Sequence, residues 1–203
     1  MSAETSGRPA AAPGVAAPIG SGLAAVAIDP ATPRLLLPLA RALQGINRLL
    51  MAIGMLALLA ASAVLTSSVV SRYFMKASTD WQDEAAVFLL VGMTFTCGAY
   101  VQSIRGHIGI EALVGVLSPR LNRLRMALVD LFGLAFCCFF AWKSWTLLHE
   151  AWVDGQTTSS SWAPPLWIPY GLMSVGMSLL ALQLLVQAGC SIRRLGSAAM
   201  EAR

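Results

Sequence analysis

Residues 49–70 read LLMAIGMLALLAASAVLTSSVV, a run without one ionisable side chain. As a helix rising about 1.5 Å per residue it covers about 33 Å, enough for the roughly 30 Å hydrocarbon core of a bilayer. This stretch decides the class of the chain, and three further runs repeat its character. Residues 85–104 carry no charge. Residues 126–148 hold Asp130 near one end and Lys143 near the other, where snorkelling and water lower the cost of a charge, and Phe and Leu side chains fill the rest. Residues 166–190 follow Pro164 and Pro165, with Pro169 in the first turn, where its missing N–H is tolerated. The expected architecture is an all-α integral membrane protein with four transmembrane helices.

Composition agrees. Of 203 residues, 57% are hydrophobic and 12% charged, against roughly 25% charged in ordinary soluble domains. Four crossings of about 20 residues each leave room only for tails and short loops. The net charge of +4 is dispersed between apolar runs instead of forming a basic stripe on a soluble fold, which argues against a nucleic-acid partner. Cys97, Cys137, Cys138 and Cys190 lie in or at the end of apolar runs, without the spacing of a zinc site or a loop disulfide, and read as small buried residues.

Residues 1–33 are rich in Ala, Gly, Pro and Ser and are expected to form a disordered tail; their Pro and Gly also interrupt any signal-peptide core. Residues 34–192 form the membrane domain and 193–203 a short tail. Leu39, Leu43, Ile46 and Leu50 recur at helical spacing ahead of the first span, an amphipathic lead-in expected at the membrane surface. Thr79 followed by Gln82 is a capping-box pattern that starts the second helix ahead of its span.

Orientation follows from the basic residues. Eleven of the fourteen Lys and Arg lie before span one, between spans two and three, or after span four, and only Arg72, Lys76 and Lys143 lie in the other loops. The positive-inside rule places both termini in the cytoplasm. All six tryptophans, at 81, 142, 145, 152, 162 and 167, then fall toward the outer boundary, as interfacial anchors or as contact anchors for a partner.

Candidates for chemistry are few. Spans one, two and four offer no ionisable group at depth, and Gly54, Gly92, Gly98, Gly171 and Gly176 suit close helix packing better than a pore. A transport site within this chain alone is therefore not expected, nor an enzyme active site, a cofactor or a metal. His107 and His149 follow spans two and three and lie about a membrane thickness apart, too far to clamp one haem. Asp130 sits near the inner boundary and reads as a snorkelling or helix-pairing acid. At the outer end, Arg72, Trp81, Asp83 and Glu84 admit two readings. The acids suit the dipole of the second helix, or they pair with Arg72 and present Trp81 to a neighbour. At the inner end, His107 and Glu111 stand four apart on a helical segment, as a solvated surface pair or a contact.

These features together resemble the small membrane subunit of tripartite ATP-independent periplasmic (TRAP) transporters, the DctQ-type small permease. The resemblance covers residues 49–187 and lies in Arg72-Tyr73-Phe74 leading to Trp81-x-Asp83-Glu84, in His107-Ile108-x-Ile110-Glu111 with Ser118-Pro119-Arg120 beyond, and in Ser159-Ser160-Ser161-Trp162 to Pro164-Pro165-Leu166-Trp167. Gln82 stands where the family often has a small hydroxyl residue, and Ile168-Pro169-Tyr170 where relatives place a basic residue. The resemblance implies a subunit in the bacterial inner membrane that supports a large membrane subunit and helps dock a periplasmic solute receptor. Together these take up small organic acids on an ion gradient, typically sodium, with the substrate and ion sites on the large subunit. Arg72, Trp81, Asp83, Glu84, His107, Glu111, Trp162 and Trp167 become the expected partner contacts. A membrane anchor subunit of a respiratory or quinone-linked enzyme is the alternative and would bind haem or quinone.

Overall fold

The computed structural model describes residues 32–76, 79–104 and 118–200, with the side chains of 119, 120 and 197–200 set aside. A 3₁₀ turn, Arg34–Leu36, leads into α1, Leu37–Met75; α2 is Asp80–Ser103, α3 is Pro119–Val153 and α4 is Trp167–Met200. All four are long and apolar enough to cross a membrane. No strand occurs among the described residues, only an isolated bridge between Thr157 and Pro165 in the loop before α4.

The helices run beyond the apolar windows at most ends because helix formation does not stop where charge begins. Local chemistry stops it instead. Pro38 stands in the first turn of α1, where a missing N–H costs nothing, and Lys76 closes that helix in the left-handed region at φ 50°. Ser118 caps α3 by accepting from the Leu121 N–H at 3.4 Å, with Pro119 next.

Helix order in space differs from order in sequence. α1 packs on α2, α2 on α4 and α4 on α3; α1 only grazes α4, and α3 makes no extensive contact with α1 or α2. The result is a row, α1–α2–α4–α3. α4 is the most enclosed of the four, while α1 and α3 keep broad apolar faces such as Leu56, Leu59, Phe132 and Phe136 uncovered. Such faces suit lipid or a partner helix.

The α2–α4 seam depends on Gly176, because a Cβ there would overlap the Phe95 carbonyl. Gly54 plays the same part on α1, facing the Cys97 thiol of α2. By contrast, nothing lies within 4 Å of where a Cβ on Gly98 would be, and Gly171 meets only ordinary contact from Leu148.

The lead-in is not a separate surface helix. It is continuous with α1, and Ala40 and Leu43 pack with Val186 and Leu179 of α4, so most of its apolar stripe faces protein while Ile46 stays outside. From there a ladder of polar bonds reads along α4. Asn47 donates to Gln183 at 3.3 Å, Gln102 Nε2 donates to Gln187 Oε1 and Gln187 Nε2 to the Gln102 backbone carbonyl, both at 2.7 Å, and Ser191 donates to Asp130 at 2.5 Å. One face of α4 thus bonds to α1, α2 and α3 in succession. Asp130, 2% exposed, is a helix-pairing acid and not a snorkelling one.

Candidate partner-contact site at the hairpin end

The alternating helix directions bring the α1–α2 turn and the α3–α4 loop to one end of the row. Ser161 donates to Asp80 at 3.4 Å, and the rings of Trp81 and Trp162 meet edge to face with centroids 6.5 Å apart. Trp152 and Trp167 form a second such pair at 5.1 Å. Offset or edge-on aromatic pairs of this kind add about 0.5–1.5 kcal/mol beyond their buried area. Even so paired, Trp81 stays 51% and Trp162 49% exposed, so each keeps about half its surface for another contact.

The ion pair beneath them is Arg72 with Asp83. Arg72 Nη2 donates to Asp83 Oδ2 at 2.8 Å, and Ser68 donates to Oδ1 at 3.1 Å, which fills both carboxylate oxygens from α1. The side chains are 61% and 48% exposed. In water such a pair is worth at most about 1 kcal/mol; its value here is geometric, locking the start of α2 against the end of α1.

Arg72 also displaces the expected capping box. Its Nε and Nη2 donate to Thr79 Oγ1 at 3.3 and 2.8 Å, so the hydroxyl that would have capped α2 is already engaged. Thr79 remains the residue before α2 but makes no side-chain cap bond. Gln82 cannot complete the box, and its Oε1 is buried without a hydrogen-bond partner among the described residues. Glu84 does not join the ion pair either: its Oε2 is buried and unbonded in the same sense. Asp83, not Glu84, is the acid that Arg72 selects.

Of the eight residues singled out by sequence, Arg72, Trp81, Asp83, Glu84, Trp162 and Trp167 gather at this end. His107 and Glu111 lie outside the described residues. Two tryptophans differ from a simple boundary belt. Trp145 donates its indole N–H to Ser178 of α4 at 3.1 Å, well down α3, and so ties the two helices together. Trp142 takes the Lys143 ammonium over its ring at 5.1 Å.

Sequence reading missed a neighbouring feature, an open groove of about 590 Å³ beside the ion pair, lined by Ala63, Thr66, Ser67, Val70, Ser71, Met75 and Gln82. Ala63, Ser67 and Ser71 follow at intervals of four, and that small-residue spacing was there to be read. Thr66 and Ser67 turn their hydroxyls back to the Ser62 and Val64 carbonyls, which leaves the groove wall largely apolar. Among the described residues no three His, Cys, Asp or Glu groups come close enough to hold a metal ion.

Comparison with known proteins falls on the same region. The chain is 24% identical over 140 residues to the C4-dicarboxylate TRAP transporter small permease protein DctQ of Vibrio cholerae, a match over 59% of this chain and 60% of that relative. It therefore spans about three-fifths of the length of the curated relative. No solved structure matches. The family model for the DctQ component of tripartite ATP-independent periplasmic transporters matches residues 61–194, from the middle of α1 to near the end of α4. That match takes in all but the first part of the four-helix domain, with the hairpin-end cluster inside it, and the chain belongs to the DctQ family of TRAP transporter components.

Proposed function

We propose that the chain is the small membrane subunit of a TRAP-type secondary transporter, in which it supports a large membrane subunit and offers its hairpin end to a periplasmic solute receptor. The complex takes up small organic acids on an ion gradient. Both termini are cytoplasmic, because eleven of the fourteen basic residues fall in the sequence before the first span, between the second and third, or after the fourth. The hairpin end then faces the periplasm of an inner-membrane protein.

The observation that carries this reading is the hairpin-end cluster itself. Two half-exposed tryptophans meet there, Trp81 in the first turn of α2, which Arg72 and Asp83 lock to α1, and Trp162 in the α3–α4 loop, and large amphipathic side chains on a fixed base are what contact hot spots are made of. The small-residue groove beside them suits close approach of a partner helix. Deeper in the row Gln102 bonds to Gln187 and Ser191 to Asp130 across helices, which suits a support and not a translocation path.

Co-expression with the large subunit, followed by copurification and vesicle uptake, tests the proposal. Arg72→Ala, Glu84→Ala and Trp81→Ala should each reduce assembly or uptake while the chain still inserts, and Lys76→Ala should matter little. If all four behave like the unmutated chain, the acids serve only the α2 dipole and the contact role falls.

A further inference from the structure

α1 crosses the bilayer with its apolar residues 49–70, yet the helix begins twelve residues earlier, at Leu37. Arg41 and Arg48 stand on this extension seven residues apart, so they share one face of the helix. Both are exposed, and neither makes a hydrogen bond or ion pair among the described residues. α1 contains no acidic residue to neutralise them. Gly45 lies between them on the same face, with nothing within 4 Å of where its Cβ would be. Two guanidinium groups, unpaired among the described residues, thus flank an open notch.

Below the notch the surface turns apolar. Leu49 and Ile53 are exposed on the flank next to the arginines, away from the Ala40–Leu43–Asn47 side that packs on the rest of the protein. Arg48 sits at the edge of the span. Arg41 stands about 10 Å farther along the axis at 1.5 Å per residue, which a tilt of up to about 40° brings to about 8 Å, at the outer edge of the headgroup layer, and its long side chain reaches back into that layer. Arg34 lies another heptad out, beyond that layer.

We infer that Arg41, Gly45 and Arg48 form a binding site for the phosphate of an anionic phospholipid, whose acyl chain lies along Leu49 and Ile53. The guanidinium fork matches phosphate oxygens, and the glycine lets the headgroup approach the backbone. A soluble anion would satisfy the arginines and leave the apolar flank bare; the lipid covers both. The inference needs α1 to cross a bilayer and does not depend on which proteins assemble with it.

The test titrates the purified full chain, in mild detergent, with phosphatidylglycerol and with phosphatidylcholine of the same acyl chains, and counts bound lipid by native mass spectrometry. Each arginine near a headgroup is worth about fivefold, so the unmutated chain should prefer phosphatidylglycerol by about thirtyfold. Arg48→Gln should lower that preference about fivefold, and Arg41→Gln with Arg48→Gln should bring it within about twofold of none. Arg34→Gln should leave it unchanged. Arg41→Gln alone should lower it about fivefold as well, and the two single variants carry the test should the double glutamine variant aggregate. Glycerol phosphate, the headgroup without chains, should fail to compete at millimolar concentration. Equal binding of the two lipids, a preference that survives the double glutamine change, or full competition by glycerol phosphate would each overturn the site.

Discussion

Asp83 and Asp130 are both aspartates on helices of the same membrane domain, and each accepts a hydroxyl from a serine on a neighbouring helix. Asp130 is 2% exposed and takes the Ser191 hydroxyl at 2.5 Å between α3 and α4. Asp83 is about half exposed, takes Ser68 at 3.1 Å, and adds the Arg72 guanidinium. The buried acid is part of a ladder that fixes which helices adjoin. The exposed acid fixes the shape of a surface. An ionisable residue in a membrane helix is therefore not by itself a transport site: its meaning depends on whether its partner is another helix of the same chain or a surface left open.

That contrast can be broken first at the seam. Gly176→Leu would drive a side chain into the Phe95 backbone, and the α2–α4 packing should fail at a cost at or above about 3 kcal/mol, seen as loss of monodisperse protein in detergent. Asp130→Ala should come next, destabilising by about 1–3 kcal/mol because the Ser191 hydroxyl loses its acceptor. Asp130→Asn keeps an acceptor, so thermal unfolding should move little and the sodium dependence of uptake by the assembled complex should not change. A large change in that dependence at normal abundance would give Asp130 a coupling role.

Smaller effects sharpen the comparison. A double-mutant cycle on Gln102→Leu and Gln187→Leu isolates the side-chain bond between them and should return a coupling of about 0.6–1.7 kcal/mol, the range of interhelical hydrogen bonds in membranes. Glu84→Gln removes a charge whose Oε2 is buried and unbonded, so the chain by itself should unfold at the same temperature or slightly higher, while assembly with the large subunit falls. Should stability fall and assembly hold, Glu84 belongs to the chain's own fold.

The four helices were legible because windows free of ionisable residues are long and unambiguous. Their order in space was not. Four apolar runs of similar character establish that helices exist but not which ones adjoin, and the adjoining pairs are chosen by single residues such as Gly176, Asn47 and Gln187. The amides stood out in apolar surroundings, yet each has several possible partners until the helices are placed. At the hairpin end, the pairing of Arg72 with an acid was legible from the turn, whereas the choice of Asp83 over Glu84 was not. The capping box misled for a related reason: Arg72, seven residues before Thr79, competes for its hydroxyl, and a local pattern cannot register a competitor on the preceding helix.

The most direct measurement is copurification of the chain with the large TRAP membrane subunit in mild detergent, comparing unmutated protein, Trp81→Ala and Arg72→Ala with Gln187→Leu. The account predicts a stable complex for the unmutated chain. It predicts loss of the complex, or loss of receptor-dependent uptake by it, for the two hairpin-end variants despite a stability loss of no more than about 1.5 kcal/mol. It predicts the reverse for Gln187→Leu, lower thermal stability with assembly retained. A chain that purifies alone, or hairpin-end variants that assemble and take up substrate like the unmutated protein, would contradict it.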